Sequence, residues 1–236
     1  MTIAAGFRFI DRANPHLSGV LLCADTLYTV PGVMKLQGTK VFVYNFPKMD
    51  MGRAAFTFAG DRTFARMALD EIEREINAQG PEAKTVESMR TTVENVLVRI
   101  YREHLYIRPD FPAYAPSFQF LFALWSPIDG LGFYSTLETA VTEVSMYEFL
   151  GSGASLAHYL AKHHHNPADG YRAAIRVSTM ILDACMEHID GCGGQSEFFT
   201  LCKNGSSTQT LAFVQPYMQN LDEIERAMQI KPLPGG

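Results

Sequence analysis

The chain predicts an α+β fold arranged as a four-layer αββα sandwich, two stacked antiparallel sheets with a helix pair outside each. Three observations lead there. The elements come in blocks: strands, two helices, strands, two helices, and a last pair of strands. That order lacks the β-α alternation a doubly wound parallel sheet requires. The strand segments are rich in apolar and β-branched residues, whereas the helical segments carry one apolar stripe each. Finally, 236 residues, 47% apolar and 19% charged, supply enough chain for a large core. No repeat of roughly 20–50 residues and no linker divides the chain, so residues 1–236 read as one domain, with the tail 231–236 outside its core.

Residues 2–9 and 18–25 read as a hairpin pair across the polar turn Asp11-Arg12-Ala13-Asn14-Pro15. Residues 40–44 and 53–59 form a second pair, separated by Asn45-Phe46-Pro47 and a Met-rich turn. From Asp61, placed to cap a helix, the period changes, with Phe64, Met67, Ala68, Ile72 and Ile76 at helical spacing until Gln79-Gly80-Pro81. A second helix runs over 86–103 on Met89, Val93, Val96, Leu97 and Ile100. A link containing Pro109, Pro112 and Pro116 leads to SFQFLFALW, then to LGFYST and the strand segment around TEVSMYEFLG. Gly151-Ser152-Gly153 opens a helix to about residue 162, and a longer one spans 168–189. SEFFTLC and TLAFV form a closing hairpin across Lys203-Asn204-Gly205. A short helix at 221–228 precedes the tail.

Composition excludes several function classes. A net charge of −5 and a pI near 5.8 argue against a nucleic-acid footprint, which needs a basic patch. No apolar run approaches the ~18 residues of a membrane span, and no signal peptide opens the chain. The four cysteines, Cys23, Cys185, Cys192 and Cys202, form no CxxC pair and read as reduced thiols, which points to the cytoplasm. Nothing suggests a cofactor. The run His163-His164-His165 invites a metal reading, but consecutive residues on a helix point in different directions and do not converge on one ion. A solvated helix terminus accounts for them.

The chemistry begins at Thr2. A residue this small behind Met1 is compatible with removal of the initiator, leaving a threonine with both a hydroxyl and a free α-amine. Such an amine has a pKa of roughly 7.7–8.0 and can take the proton of its own hydroxyl. The expectation is an N-terminal-threonine hydrolase.

The ordered pieces TIAAGF, GVLLCADT, VMKLQGTKV, FTFAGD, FLFALW with LGFYST, EFLGSG and GCGGQSEFFTL resemble the proteasome β-subunit family. These are N-terminal nucleophile (Ntn) hydrolases, and the pieces are closest in style to the simple bacterial peptidase subunits that work beside a ring ATPase. The resemblance implies a threonine peptidase in a self-compartmentalised homo-oligomer, acting on peptides or unfolded protein, with a ring ATPase as a candidate partner. It also assigns roles. Thr2 matches the nucleophile, Asp25 the aspartate after the second strand, and Lys40 the lysine beside the nucleophile. Gly60 matches the oxyanion donor, Ser152 the serine contacting the threonine amine, and Asp190 the aspartate before a Ser-Gly-Gly loop. Cys192 stands where that loop has serine. The Asp25–Lys40 separation is about one residue short of the family pattern, which keeps Lys35 open as a second register. A non-catalytic subunit of the same fold and a small-molecule amidase remain as alternatives.

Overall fold

The computed structural model describes residues 2–30, 34–47, 52–79, 85–106 and 117–212. The expected state of Met1, the Met-rich turn, the stop at Gly80-Pro81, the proline link 109–116, the helix at 221–228 and the Gly-Gly tail lie outside these residues.

Two five-stranded antiparallel sheets are formed. The first contains β1 (Ile3–Phe9), β2 (Gly19–Asp25), β10 (Tyr147–Gly151), β11 (Ser196–Cys202) and β12 (Ser207–Ala212), in the order β10-β1-β2-β11-β12. The second contains β5 (Val41–Phe46), β6 (Gly52–Gly60), β7 (Phe118–Ser126), β8 (Gly130–Leu137) and β9 (Ala140–Glu143), in sequence order.

Alternation along the strands explains why they carry apolar residues at successive positions. In β1, Ile3, Ala5, Phe7 and Phe9 join one buried cluster, while Ala4 joins another. In β7, Phe118, Phe120, Phe122 and Leu124 face one way, and Leu121, Ala123 and Trp125 the other. Successive side chains point to opposite faces, so a strand buried on both faces shows no polar alternation. The cluster holding Ala4, Val20, Leu22 and Ala24 also holds Ala55, Leu121, Ala123 and Phe133, and so draws on both sheets.

Helices α1 (Arg62–Ala78) and α2 (Val86–Ile100) bury Leu69, Ile72, Val93 and Leu97 against Phe56, Phe58 and Phe120 of the second sheet. Helices α3 (Ala154–His164) and α4 (Gly170–His188) bury Ala157, Ala161, Ile181 and Leu182 against Phe7, Leu21 and Phe198 of the first. Asp61 caps α1 as expected, its carboxylate accepting from the N–H groups of Thr63 (2.8 Å) and Phe64 (3.2 Å).

Three details differ from the sequence expectation. The second helix stops being α-helical at Ile100 and widens over Tyr101–Leu105, where the Tyr106 N–H reaches the Tyr101 carbonyl at 2.9 Å. The widened turn keeps Tyr101 buried, with its hydroxyl donating to the Phe118 carbonyl at 2.9 Å. The segment around TEVSMYEFLG is not one strand. It leaves the second sheet as β9, drops Val144 between the sheets, and enters the first sheet as β10. Last, a two-stranded ribbon, β3 (Leu27–Val30) and β4 (Met34–Gln37), precedes β5. Its strands are too short for their periodicity to show in sequence.

Candidate active site

β1 and β2 are antiparallel neighbours, so the start of one lies beside the end of the other: Ala4 pairs with Ala24. That register brings Thr2 to Asp25 across 23 positions of chain, and the Thr2 hydroxyl donates to Asp25 Oδ1 at 2.5 Å. Lys40, at the entrance to β5, sends its ammonium into the same space. It donates to Thr2 Oγ1, to Asp25 Oδ1 at 2.6 Å and to the Leu27 carbonyl at 2.5 Å. Three N–H donors thus find three acceptors. Asp25 also accepts from the Ile3 N–H (3.1 Å) and, on Oδ2, from the Gly193 N–H (3.0 Å).

All three side chains are buried: Thr2 is 6% exposed, Asp25 0% and Lys40 1%. Burial penalises the ammonium and pulls the Lys40 pKa below its ordinary 10.5, while the charges of Asp25 and Glu197 oppose that shift. The Tyr28 ring lies 4.8 Å from the Lys40 amine and carries the Arg62 guanidinium at 4.6 Å.

Ser152 lies on the other side of Thr2. Its hydroxyl accepts from the Thr2 backbone N–H at 3.2 Å and lies 3.3 Å from the Thr2 carbonyl. Gly151 before it has φ +93°, and a Cβ there would sit 2.3 Å from the Thr2 carbonyl oxygen. Only glycine lets the two backbones approach so closely. Cys192 follows α4 and brings its thiol within 3.9 Å of the Ser152 hydroxyl, and burial raises that thiol's pKa.

Of the residues singled out from sequence, Thr2, Asp25, Lys40 and Ser152 therefore form one hydrogen-bonded group. Gly60 and Asp190 stand outside it. Gly60 ends β6, exposed, where a Cβ would meet the Ser117 carbonyl at 2.2 Å, so local packing alone requires glycine there. Asp190 is exposed on the turn after α4. Lys35 lies in β4, opposite Thr29 in the register. His163 and His164 are exposed at the end of α3, and His165 sets Nε2 3.1 Å from the Arg8 carbonyl. Among the described residues no group of three His, Cys, Asp or Glu side chains is arranged to hold a metal ion. All four cysteines are free and buried.

Sequence reasoning passed over Glu197, whose carboxylate accepts from the Lys40 and Val41 N–H groups at 2.6 and 3.0 Å. A single charged residue inside the strand segment SEFFTLC was the available signal.

A groove of about 620 Å³ runs between α1 and α2, lined by Arg66, Glu71, Arg74 and Glu103 among others, and shares no residue with the Thr2 group. Arg66 pairs there with Asp70, and Arg74 with Glu71.

No family model matches this sequence, and no curated protein matches it. Solved structures do match. Anbu (ancestral beta-subunit) from Yersinia bercovieri is 12% identical, with both chains covered completely and a TM-score of 0.76. The Anbu (Gly-1) mutant from Hyphomicrobium sp. strain MC1 is 13% identical over 96% of each chain, with a TM-score of 0.75. The chain in the helical assembly of the Anbu complex from Pseudomonas aeruginosa is 10% identical over the whole of both chains, also with a TM-score of 0.75. At such identities the likeness is one of fold. It corrects the resemblance drawn from sequence to the proteasome β-subunit family and its simple bacterial peptidase subunits: these neighbours are Anbu proteins, proteasome-like and Ntn-related but a distinct family. The motifs quoted from the sequence are each only a few residues long and cannot by themselves separate one group of such a fold from another. What the comparison establishes is an α+β chain with antiparallel sheets whose fold is that of the Anbu structures.

Proposed function

We propose that this chain is a threonine-type peptidase on an Anbu-like, proteasome-like scaffold, activated by removal of Met1. The observation that carries the reading is the Thr2 hydroxyl held between the Lys40 ammonium and the Asp25 carboxylate in a buried setting. With Met1 attached, the Thr2 nitrogen is an amide and not a base. Once it is freed, the α-amine beside Ser152 takes the hydroxyl proton while Thr2 Oγ1 attacks the scissile carbonyl carbon. That proton passes to the leaving amine as the C–N bond breaks. Water then hydrolyses the ester, releasing the acid product and restoring Thr2. Lys40 stabilises the developing alkoxide, and Asp25 keeps Lys40 charged and aimed, in a site where exclusion of water strengthens each contact.

Residues 1–236 form one domain, layered αββα; this rests on the three apolar clusters, one between the sheets and one under each helix pair. Gly60 donates to the oxyanion and Asp190 supports the amine side, both by the sequence resemblance alone. The chain assembles with copies of itself, as the Pseudomonas aeruginosa Anbu chain does in its helical assembly. It works in the cytoplasm on peptides or unfolded protein, with a ring ATPase as a candidate partner. No described helix is long and apolar enough to cross a membrane.

The test joins intact mass to chemistry. The mature chain should lack Met1, should form a covalent adduct with a β-lactone or epoxyketone, and should cleave fluorogenic peptides, with adduct and turnover lost in Thr2→Ala. A processed chain with neither adduct nor turnover is a non-catalytic subunit. Turnover of small amides without peptide cleavage makes it an amidase.

A further inference from the structure

We propose that Glu197 is a positioning residue for Lys40, a clamp between the two sheets that delivers the ammonium to Thr2; the proposal rests on the Thr2 reading above. β11 pairs with β2 so that Ser196 stands opposite Asp25 and Glu197 opposite Ala24, whose side chain lies in the cluster between the sheets. Glu197 is 5% exposed, and one of its carboxylate oxygens accepts two successive backbone N–H groups, of Lys40 at 2.6 Å and Val41 at 3.0 Å. Among the described residues β5 is an edge strand, paired in its sheet with β6. Two adjacent N–H groups point to opposite sides of a regular strand, so no single ladder could take both. Here they converge on one anion. A buried carboxylate bonded in this way is strongly held, and it fixes the Lys40 backbone from the opposite sheet.

The consequence reaches the reaction through geometry and through charge. The Lys40 backbone is anchored to β11 and its amine to Asp25 on β2, adjacent strands of the first sheet, so the reach from Cα to Nζ is set by that sheet. A shift of the Lys40 backbone by ~1 Å would cost up to about a hundredfold in rate. The Glu197 charge also favours the protonated amine. Glu197 touches neither Thr2 nor Asp25 in the hydrogen-bonded group, so its action is indirect.

The experiment compares wild type, Glu197→Gln and Glu197→Ala in the processed full-length chain. Amide hydrogen exchange is read at Lys40 and Val41, and β-lactone labelling of Thr2 is read against pH. In Glu197→Ala both amides should exchange at least about tenfold faster, and labelling should slow by ~10–100-fold with little change in substrate KM. Glu197→Gln keeps an acceptor oxygen and removes the charge. It should retain amide protection and most of the rate, while the alkaline limb of its pH profile moves to lower pH. Should the alanine variant not fold, the glutamine variant decides alone, by that moved limb with protected amides. Unchanged exchange at both amides, unchanged labelling in a folded alanine variant, or an unmoved limb in the glutamine variant overturns the clamp. An inert wild type with protected amides that open in Glu197→Ala instead overturns the Thr2 reading and leaves the clamp's geometry standing.

Discussion

Two sets of ion pairs in this molecule look alike by distance and differ in everything else. On α1, Arg66 meets Asp70 at 3.2 Å and Arg74 meets Glu71 at 2.8 Å, with the arginines 40% and 68% exposed. Beneath the start of β1, Lys40 meets Asp25 at 2.6 Å with both side chains essentially removed from water. Exposed pairs are screened and contribute ~0–1 kcal/mol each. A buried pair costs several kcal/mol of desolvation per ion, and its own attraction returns that only when every donor and acceptor is satisfied. The Lys40–Asp25 pair meets that condition through Thr2, Leu27, Ile3 and Gly193. A hydrophobic pair would hold the fold as well. The difference teaches that burial makes the Lys40–Asp25 pair costly unless its hydrogen bonds are satisfied, and on the proposed reading its use is to act on the Thr2 hydroxyl.

Breaking one side of the buried pair gives the largest effect. Lys40→Met leaves Asp25 without its counter-ion and should cost about 3–5 kcal/mol of unfolding free energy, read in urea titrations, together with loss of Thr2 labelling. Asp25→Asn combined with Lys40→Met should regain much of that stability, since no lone charge remains, while labelling stays lost. If the double variant regains labelling too, the pair is structural and the comparison fails.

Next comes the packing that seats Thr2. Gly151→Ala places a Cβ against the Thr2 carbonyl in a left-handed backbone and should cost about 1–3 kcal/mol in thermal unfolding, with slowed labelling.

A smaller effect sharpens the electrostatic half. Because burial lowers the Lys40 pKa, the unfolded chain binds a proton that the folded chain does not, between the folded value and 10.5. Stability therefore rises with pH across that window, and the rise should be absent in Lys40→Met. A matching rise in that variant would assign the effect to another group. The smallest change is at the surface: Asp70→Asn should alter stability by under ~0.5 kcal/mol and leave labelling unchanged.

Much of this architecture was legible in sequence because its signals are local. Phe64 to Ile76 repeats at helical spacing, Asp61 caps by reaching residues two and three positions on, and the strands are apolar because both faces are buried. Thr2, Asp25, Lys40 and Ser152 were singled out by motif order, and the structure gathers them. The same motif order pointed to the wrong group of relatives, since short turn motifs report a fold and not a lineage. The switch of strand at Val144 was hidden because sheet membership depends on pairing with distant strands, which the residues of TEVSMYEFLG do not report locally.

By itself, then, the sequence determined the block order of the main strands and helices, and that a threonine stands second with an aspartate and a lysine at strand ends. Those are properties of neighbours a few residues apart, where pleat and helical turn impose their periods. Only the tertiary structure decided that Glu197 grips the backbone at Lys40 from 157 positions away, that Gly151 yields space to Thr2, and that Asp190 stays in solvent. Strand register makes those contacts, and register is settled by the packing of whole sheets rather than by any local run of side chains.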